Sequence, residues 1–272
     1  MKFEPYLKCW HLIADGDPIV TPAAKLLPVV RSGGQPAMLK MSDSLDQQRG
    51  AALMQWWDGD GAAQVFERSE TALLMERATS ERSLSDMARN GDDDAACRIL
   101  CATAARLHRE RGKPLPELVP LNVWFRELEP VAATRGGILA RCLDTARMLL
   151  ADPRETVVLH GDLHHENVLD FGQRGWLAID PHGLVGERGF DFANIFTNPD
   201  LSDPSRPVAT HPGCFMRRVA VVADAGRMDR TRLLRWILAW TGLSAAWFLT
   251  DEDPLAEIDL TIAQLAAAEL DR

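Results

Sequence analysis

Residues 157–169 read Val-Val-Leu-His-Gly-Asp-Leu-His-His-Glu-Asn-Val-Leu, and residues 178–181 read Ala-Ile-Asp-Pro. The first stretch sets Asp162 and Asn167 in one short loop between apolar runs. The second brings another carboxylate, Asp180, to the end of the next apolar run. Apolar runs that end in these residues constrain the fold to one that gathers all three side chains at strand ends. Together they are the parts of a phosphoryl-transfer site. One carboxylate, Asp162, orients the attacking hydroxyl and takes its proton, while the Asn167 amide oxygen and the Asp180 carboxylate hold Mg²⁺ on nucleotide phosphates. Taken singly, each residue has a commoner use as a turn or cap residue. Their combined spacing is what favours chemistry. His160, His164 and His165 with Asp162 also offer a zinc set, but the HxHxDH order of zinc hydrolases is absent, and hard oxygen donors suit Mg²⁺.

A lysine for the phosphates is found upstream. Residues 26–30 and 36–41 read as two strands joined by a turn at Gly33 and Gly34, whose lack of a Cβ permits the positive φ of a hairpin. Alternation places Met38 and Lys40 on one face of the second strand and Leu39 and Met41 on the other. Residues 44–57 then read as a helix, and residues 63–68 and 71–75 as a second hairpin. From residue 80 the pattern becomes helical, with Ser83 as a cap and helices over residues 92–108, 122–129, 136–151, 217–226, 231–249 and 259–269. Residues 198–213, dense in Pro, Asp and Ser, have the composition of a mobile loop.

The formal net charge of −9 disfavours nucleic-acid binding, since no basic patch offsets it. Five cysteines without CxxC spacing point to reduced thiols in a cytoplasmic protein. No uncharged apolar run approaches the ~20 residues that span a bilayer. Asp191, among apolar residues at a helix start, reads as a support for the catalytic loop through backbone N–H groups.

The runs HGDLHHENVL (residues 160–169), AIDPHGLVGE (residues 178–187) and LHRERG (residues 107–112) resemble the aminoglycoside phosphotransferase branch of the protein-kinase-like superfamily. Within it, residues 175–181, 183–187, 194–196 and 243–247 are most similar to the streptomycin 6-phosphotransferases, the aminoglycoside/hydroxyurea resistance kinases. The resemblance is dense over residues 157–200 and thinner elsewhere. It implies an α+β, bilobal protein-kinase-like fold: a β-rich nucleotide-binding lobe over residues 1–76 with one main helix, and a larger helical lobe over residues 77–272 for catalysis and acceptor binding.

It also implies ATP between the lobes, with the base against the connector at Leu74, Met75, Glu76 and Ala78, and Thr21 in the phosphate-covering turn. That turn, Thr21-Pro-Ala-Ala24, lacks glycine. The helix acid that usually pairs with the lysine is also missing: Asp46 is the only acid before the Trp pair, and Gln47 or Gln48 occupies the expected Glu position. The implied acceptor is a streptomycin-type aminoglycoside, with Glu187, Asp191, Trp247 and Asp251 as candidate contacts. Two alternatives remain open: a kinase of another small hydroxylated metabolite (a sugar, amino alcohol or hydroxyurea-like compound), and a nucleotide-binding module with weak catalysis. A monomer or homodimer without nucleic-acid or membrane partners is expected.

Overall fold

In the computed structural model, residues 2–211 and 213–272 are described. A short helix, α1 (Glu4–Cys9), precedes a six-stranded antiparallel sheet. Its strands are β1 (Ile13–Ala14), β2 (Ile19–Val20), β3 (Lys25–Val30), β4 (Pro36–Met41), β5 (Val65–Arg68) and β6 (Ala72–Glu76), and helix α2 (Leu45–Trp57) crosses over between β4 and β5. The order is β1-β3-β4-β6-β5, with β2 also paired to β3. Gly33 and Gly34, at φ 96° and 84°, make the expected turn between β3 and β4.

The alternation of β4 divides the sheet into two faces. Ala37, Leu39 and Met41 enter a core with Leu27, Val29 and Leu74, covered by Phe3, Tyr6, Leu7 and Trp10 of the α1 region. Met38 and Lys40 take the opposite face, toward α2 and the cleft. Register sets Lys40 opposite Leu26 on one side and Leu73 on the other. Helix α1 was not foreseen, although Phe3, Tyr6, Leu7 and Trp10 follow the spacing of an apolar helix face.

The second lobe contains α3 (Leu84–Met87), α4 (Asp93–Leu107), α5 (Leu121–Trp124), α6 (Leu128–Arg135) and α7 (Gly137–Ala151), then α8 (Gly189–Ala193), α9 (Cys214–Ala225), α10 (Arg230–Thr250) and α11 (Ala256–Leu270). The expected cap of α3 forms: the Ser83 side chain accepts from the Asp86 backbone N–H. Helix α10 packs against α7, α8 and α11. It is long and apolar enough to cross a membrane, but 72% of its apolar window is buried inside the protein, so it is the spine of the helical core.

Between α7 and α8 lie β8 (Thr156–Leu159), the hairpin β9 (Val168–Asp170) and β10 (Trp176–Ala178), and β11 (Leu184–Glu187). Strand β11 pairs with β8 and with a short strand, β7 (Val119–Pro120). The lobes are stitched together beside this region. Ala63 donates its backbone N–H to the Ala178 carbonyl at 2.9 Å, and Ala178 donates to the Gly61 carbonyl at 2.9 Å. Trp57, at the end of α2, stacks on His160 with ring centroids 6.2 Å apart.

Over residues 198–211 the structure corrects the expectation of a mobile loop, and the rest of that stretch includes Pro212, which lies outside the described residues. The Asp200 carboxylate is fully buried and accepts from the backbone N–H groups of Val208, Ala209 and Thr210 and from the Thr210 hydroxyl, at 2.7–3.0 Å. Arg89 and Arg218 hold the Pro199 and Asn198 carbonyls. A buried acid that satisfies several backbone donors fixes a loop that composition alone leaves free.

One core acid is less well served. Asp259 on α11 is fully buried beside Ser244, and neither carboxylate oxygen has a hydrogen bond among the described residues. Burial pushes its pKa well above the ordinary carboxylate value, so the folded state favours the protonated acid. An acid raised on folding contributes stability below the unfolded pKa and loses it as pH rises through the folded pKa. Asp259→Asn should therefore melt above wild type at pH 8, because an amide stays neutral in the core without taking up a proton. The gap should close toward pH 4; a gap independent of pH contradicts the assignment.

Candidate active site

Strand β8 ends at the buried Leu159 and hands the chain to a loop fixed from below. Asp191, fully buried, accepts from the His160 backbone N–H at 2.9 Å and the Gly161 N–H at 2.8 Å, and pairs with His108 Nε2 at 2.8 Å. Burial opposes its charge, but the hydrogen bonds and the His108 charge outweigh it and hold the carboxyl below its ordinary range. Gly161 has φ 90°, and a Cβ there would approach Leu184 Cδ1 to 2.9 Å, so the turn requires glycine.

His160 links the two halves of the motif. Its Nε2 lies 2.8 Å from the Ile179 carbonyl, and its Nδ1 accepts from the Asp162 backbone N–H at 3.2 Å. This pattern assigns a neutral ring with the proton on Nε2, in agreement with a pKa lowered by burial. One imidazole thereby ties the Asp162 loop to the residue before Asp180.

The Asp162 side chain is one-third exposed, at 33%, and therefore reachable from the cleft. Its Oδ2 accepts from Asn167 Nδ2 at 2.9 Å and lies 3.3 Å from His164 Nε2. Burial works against ionisation, but His164 and His182 outweigh it and hold the carboxyl below the usual range. The group is thus an anion able to accept a hydroxyl proton. With its amide nitrogen committed to Asp162, Asn167 keeps its amide oxygen for a cation. His164 faces Asp162 in the pocket, and His165 is buried at 1% exposure.

Asp180 sits at φ 61°, just past β10, and its carboxylate bonds Lys40 Nζ. The lysine's partner is therefore Asp180, and the acid of α2 goes elsewhere. Asp46 pairs with His182 Nδ1 at 2.5 Å. Burial opposes the charge on His182, but Asp46, Asp162 and Asp180 outweigh it and push its pKa up to about 9. A carboxylate and an amide oxygen are hard donors of the kind that fits Mg²⁺, with Lys40 paired to the carboxylate.

Around the cleft, Thr21 lies in the turn between β2 and β3, where its hydroxyl bonds within the turn to Ala24. Met75 shares its strand face with Leu73 on the cleft side. The Leu74 side chain turns the other way, into the outer core, leaving only its backbone for a nucleotide. Glu76 ends the sheet and bonds Arg174, and Ala78 is half-buried in the connector.

On the far side of Asp162 an open pocket of about 310 Å³ is lined by Asp162, His164, His182, Asn198, Ser202, Trp240, Ser244 and Trp247. Trp247 thus stands where an acceptor would meet Asp162. Its indole N–H bonds Glu127, and its ring meets that of Trp124 at 5.9 Å. The acids expected here lie elsewhere. Glu187 is 3% exposed and spent on Arg232, the Trp236 indole and the Arg154 backbone N–H. Asp191 is sealed beneath the catalytic loop, and Asp251 caps the C-terminus of α10 at an exposed position. His182, Trp124 and Glu127 were not foreseen. The sequence carries no spacing signal for them, because they converge from separate elements.

Comparison with known proteins identifies the family. The family model described as aminoglycoside/hydroxyurea antibiotic resistance kinase matches residues 9–252. A streptomycin 3''-kinase of Klebsiella pneumoniae is 55% identical over 265 residues, covering 96% of this chain and 99% of that protein. A streptomycin 6-kinase of Streptomyces griseus is 29% identical, covering 96% and 85%. Among solved structures, a thermostable mutant of the aminoglycoside phosphotransferase APH(4)-Ia, in ternary complex with AMP-PNP and hygromycin B, superimposes with a TM-score of 0.62 at 15% identity, covering 96% of this chain and 91% of that one. The two-lobed fold is thus protein-kinase-like, and the chain belongs to the aminoglycoside/hydroxyurea antibiotic resistance kinases, phosphotransferases that act on small molecules.

Proposed function

We propose that the protein transfers the γ-phosphoryl group of ATP, with Mg²⁺, to the 3''-hydroxyl of a streptomycin-type aminoglycoside. The observation that carries this reading is the position of Asp162. It is a carboxylate whose charge the neighbouring histidines favour, on the wall of the pocket that Trp247 also lines. Similarity to a streptomycin 3''-kinase at 55%, against 29% for a 6-kinase, favours the 3'' position over the 6 position suggested by the motif resemblance.

In the reaction, the acceptor oxygen forms a bond to the γ-phosphorus as the bond from that phosphorus to the β,γ-bridging oxygen breaks. The hydroxyl proton passes to Asp162, and ADP leaves with the electron pair. Lys40 donates to the nucleotide phosphates. Asn167 and Asp180 would hold Mg²⁺, which supplies charge neutralisation to the phosphate oxygens when bound. Trp247, with Glu127 on its indole N–H, offers a flat face and a nearby anion for a cationic acceptor.

A panel of acceptors with coupled ADP detection tests this. Streptomycin should give the highest kcat/KM. A sugar or amino alcohol turned over with higher kcat/KM would replace the acceptor assignment. Binding of MgATP without transfer to any acceptor would replace catalysis by nucleotide binding alone.

A further inference from the structure

Helix α2 rests on the turn that follows Asp180. A Cβ at Gly50 would lie 2.0 Å from the Pro181 carbonyl oxygen, so only glycine permits this approach. A Cβ on Gly183 would meet Arg49 Cβ at 3.2 Å. Alongside these contacts, Asp46 binds His182 Nδ1 at 2.5 Å. The His182 ring lines the pocket that contains Asp162. It also lies 5.3 Å from the ring of Trp124, which meets Trp247. Lys40 takes its carboxylate from Asp180. The acid of α2 is therefore joined to the acceptor side of the cleft.

We propose that Asp46, although carried by the nucleotide-binding lobe, is a positioning residue for the acceptor: it fixes the His182 ring as part of the acceptor pocket wall. The proposal rests on the kinase reading given above. A carboxylate on one ring nitrogen sets an imidazole's orientation, as it does for metal-bound and catalytic histidines. The wall formed by Trp124 and Trp247 packs against a ring held in one pose, and a pocket shaped in advance binds its acceptor more tightly than one that must order itself. The same bond joins the lobes. An acceptor seated against His182 favours α2 resting on the Asp180 turn, and by reciprocity a docked α2 favours the acceptor.

The test uses the full-length enzyme and compares wild type, Asp46→Ala, Asp46→Glu, His182→Ala and the Asp46→Ala/His182→Ala double variant. Acceptor KM and kcat are measured with streptomycin, and affinity for Mg·AMP-PNP by calorimetry. Asp46→Ala should raise acceptor KM about tenfold, the size expected on losing a charge-assisted hydrogen bond. Nucleotide affinity should stay within about twofold, and Asp46→Glu should recover most of the loss. The double variant should be no worse than His182→Ala, because the two side chains act as one unit. A fall in nucleotide affinity with acceptor KM unchanged would return Asp46 to the nucleotide side. Additive effects in the double variant would separate it from His182. Either result overturns the proposal. Absence of transfer by the wild type would instead overturn the kinase reading itself, so the two failures are distinguishable.

Discussion

Asp162→Asn should lower kcat by about 10²–10⁴-fold, the span of a positioned general base, while Mg·ATP binds as before. The substitution is isosteric and leaves the loop's supports in place. Asp191 still holds the His160 and Gly161 N–H groups, and His160 still bridges to the Ile179 carbonyl. What disappears is the anion that receives the proton. The melting temperature should fall modestly at neutral pH, because the histidines that outweigh the burial of the Asp162 charge lose that attraction. Single-turnover transfer with nucleotide affinity measured in parallel separates the two effects. A variant that transfers phosphate at wild-type rates would remove Asp162 from the chemistry.

The largest effect on stability is expected at Arg218. Its guanidinium and the Asp93 carboxylate are each 1% exposed and joined by bonds of 2.7–3.1 Å. Burial opposes both charges, but their mutual hydrogen bonds outweigh it, lowering the pKa of Asp93 and raising that of Arg218. Arg218 also donates to the Ile195 carbonyl at 2.8 Å and the Asn198 carbonyl at 2.6 Å. Arg218→Ala leaves the buried Asp93 carboxylate to the Cys214 thiol and the more distant Arg217 and removes the donor of two carbonyls, at a cost of about 3–5 kcal/mol. That lowers Tm by roughly 6–20 °C for a chain of this size. Replacing both partners, Asp93→Leu with Arg218→Met, should recover part of the stability, since a packed apolar pair offsets the loss of the ion pair while the Ile195 and Asn198 carbonyls still lack their donor. Acceptor KM should remain raised in that double variant, because Asn198 lines the acceptor pocket and has lost its anchor. Calorimetric melting together with acceptor kinetics checks both statements; a double variant as unstable as Arg218→Ala contradicts the desolvation argument.

Local patterns were legible in the sequence to the extent that neighbours in the chain are neighbours in space. The alternation in β4 assigned Lys40 to the cleft face, and the apolar runs around residues 157–181 marked the strands that carry Asp162, Asn167 and Asp180. Partnerships between distant residues were not legible. Lys40 meets Asp180 across 140 positions and Asp46 meets His182 across 136, and no periodicity reports such pairs. Glu187 follows a glycine-rich run near the motif and reads as available to an acceptor, yet Arg232 on a later helix takes it into the core. Loop composition misled for the same reason. The Pro-, Asp- and Ser-rich stretch over residues 198–211 is held by the buried carboxylate of one of its own acids, Asp200.

The central claim is that this cleft passes phosphate from ATP to a streptomycin hydroxyl with Asp162 as base. Analysis of the product by phosphorus–proton correlation NMR tests it most directly. After incubation of wild-type enzyme with streptomycin and Mg·ATP, the account predicts streptomycin carrying a single phosphate on the 3'' oxygen, formed in step with ADP. A phosphate on another hydroxyl would contradict the 3'' assignment, and ADP formation without phosphorylated streptomycin would contradict the transfer itself.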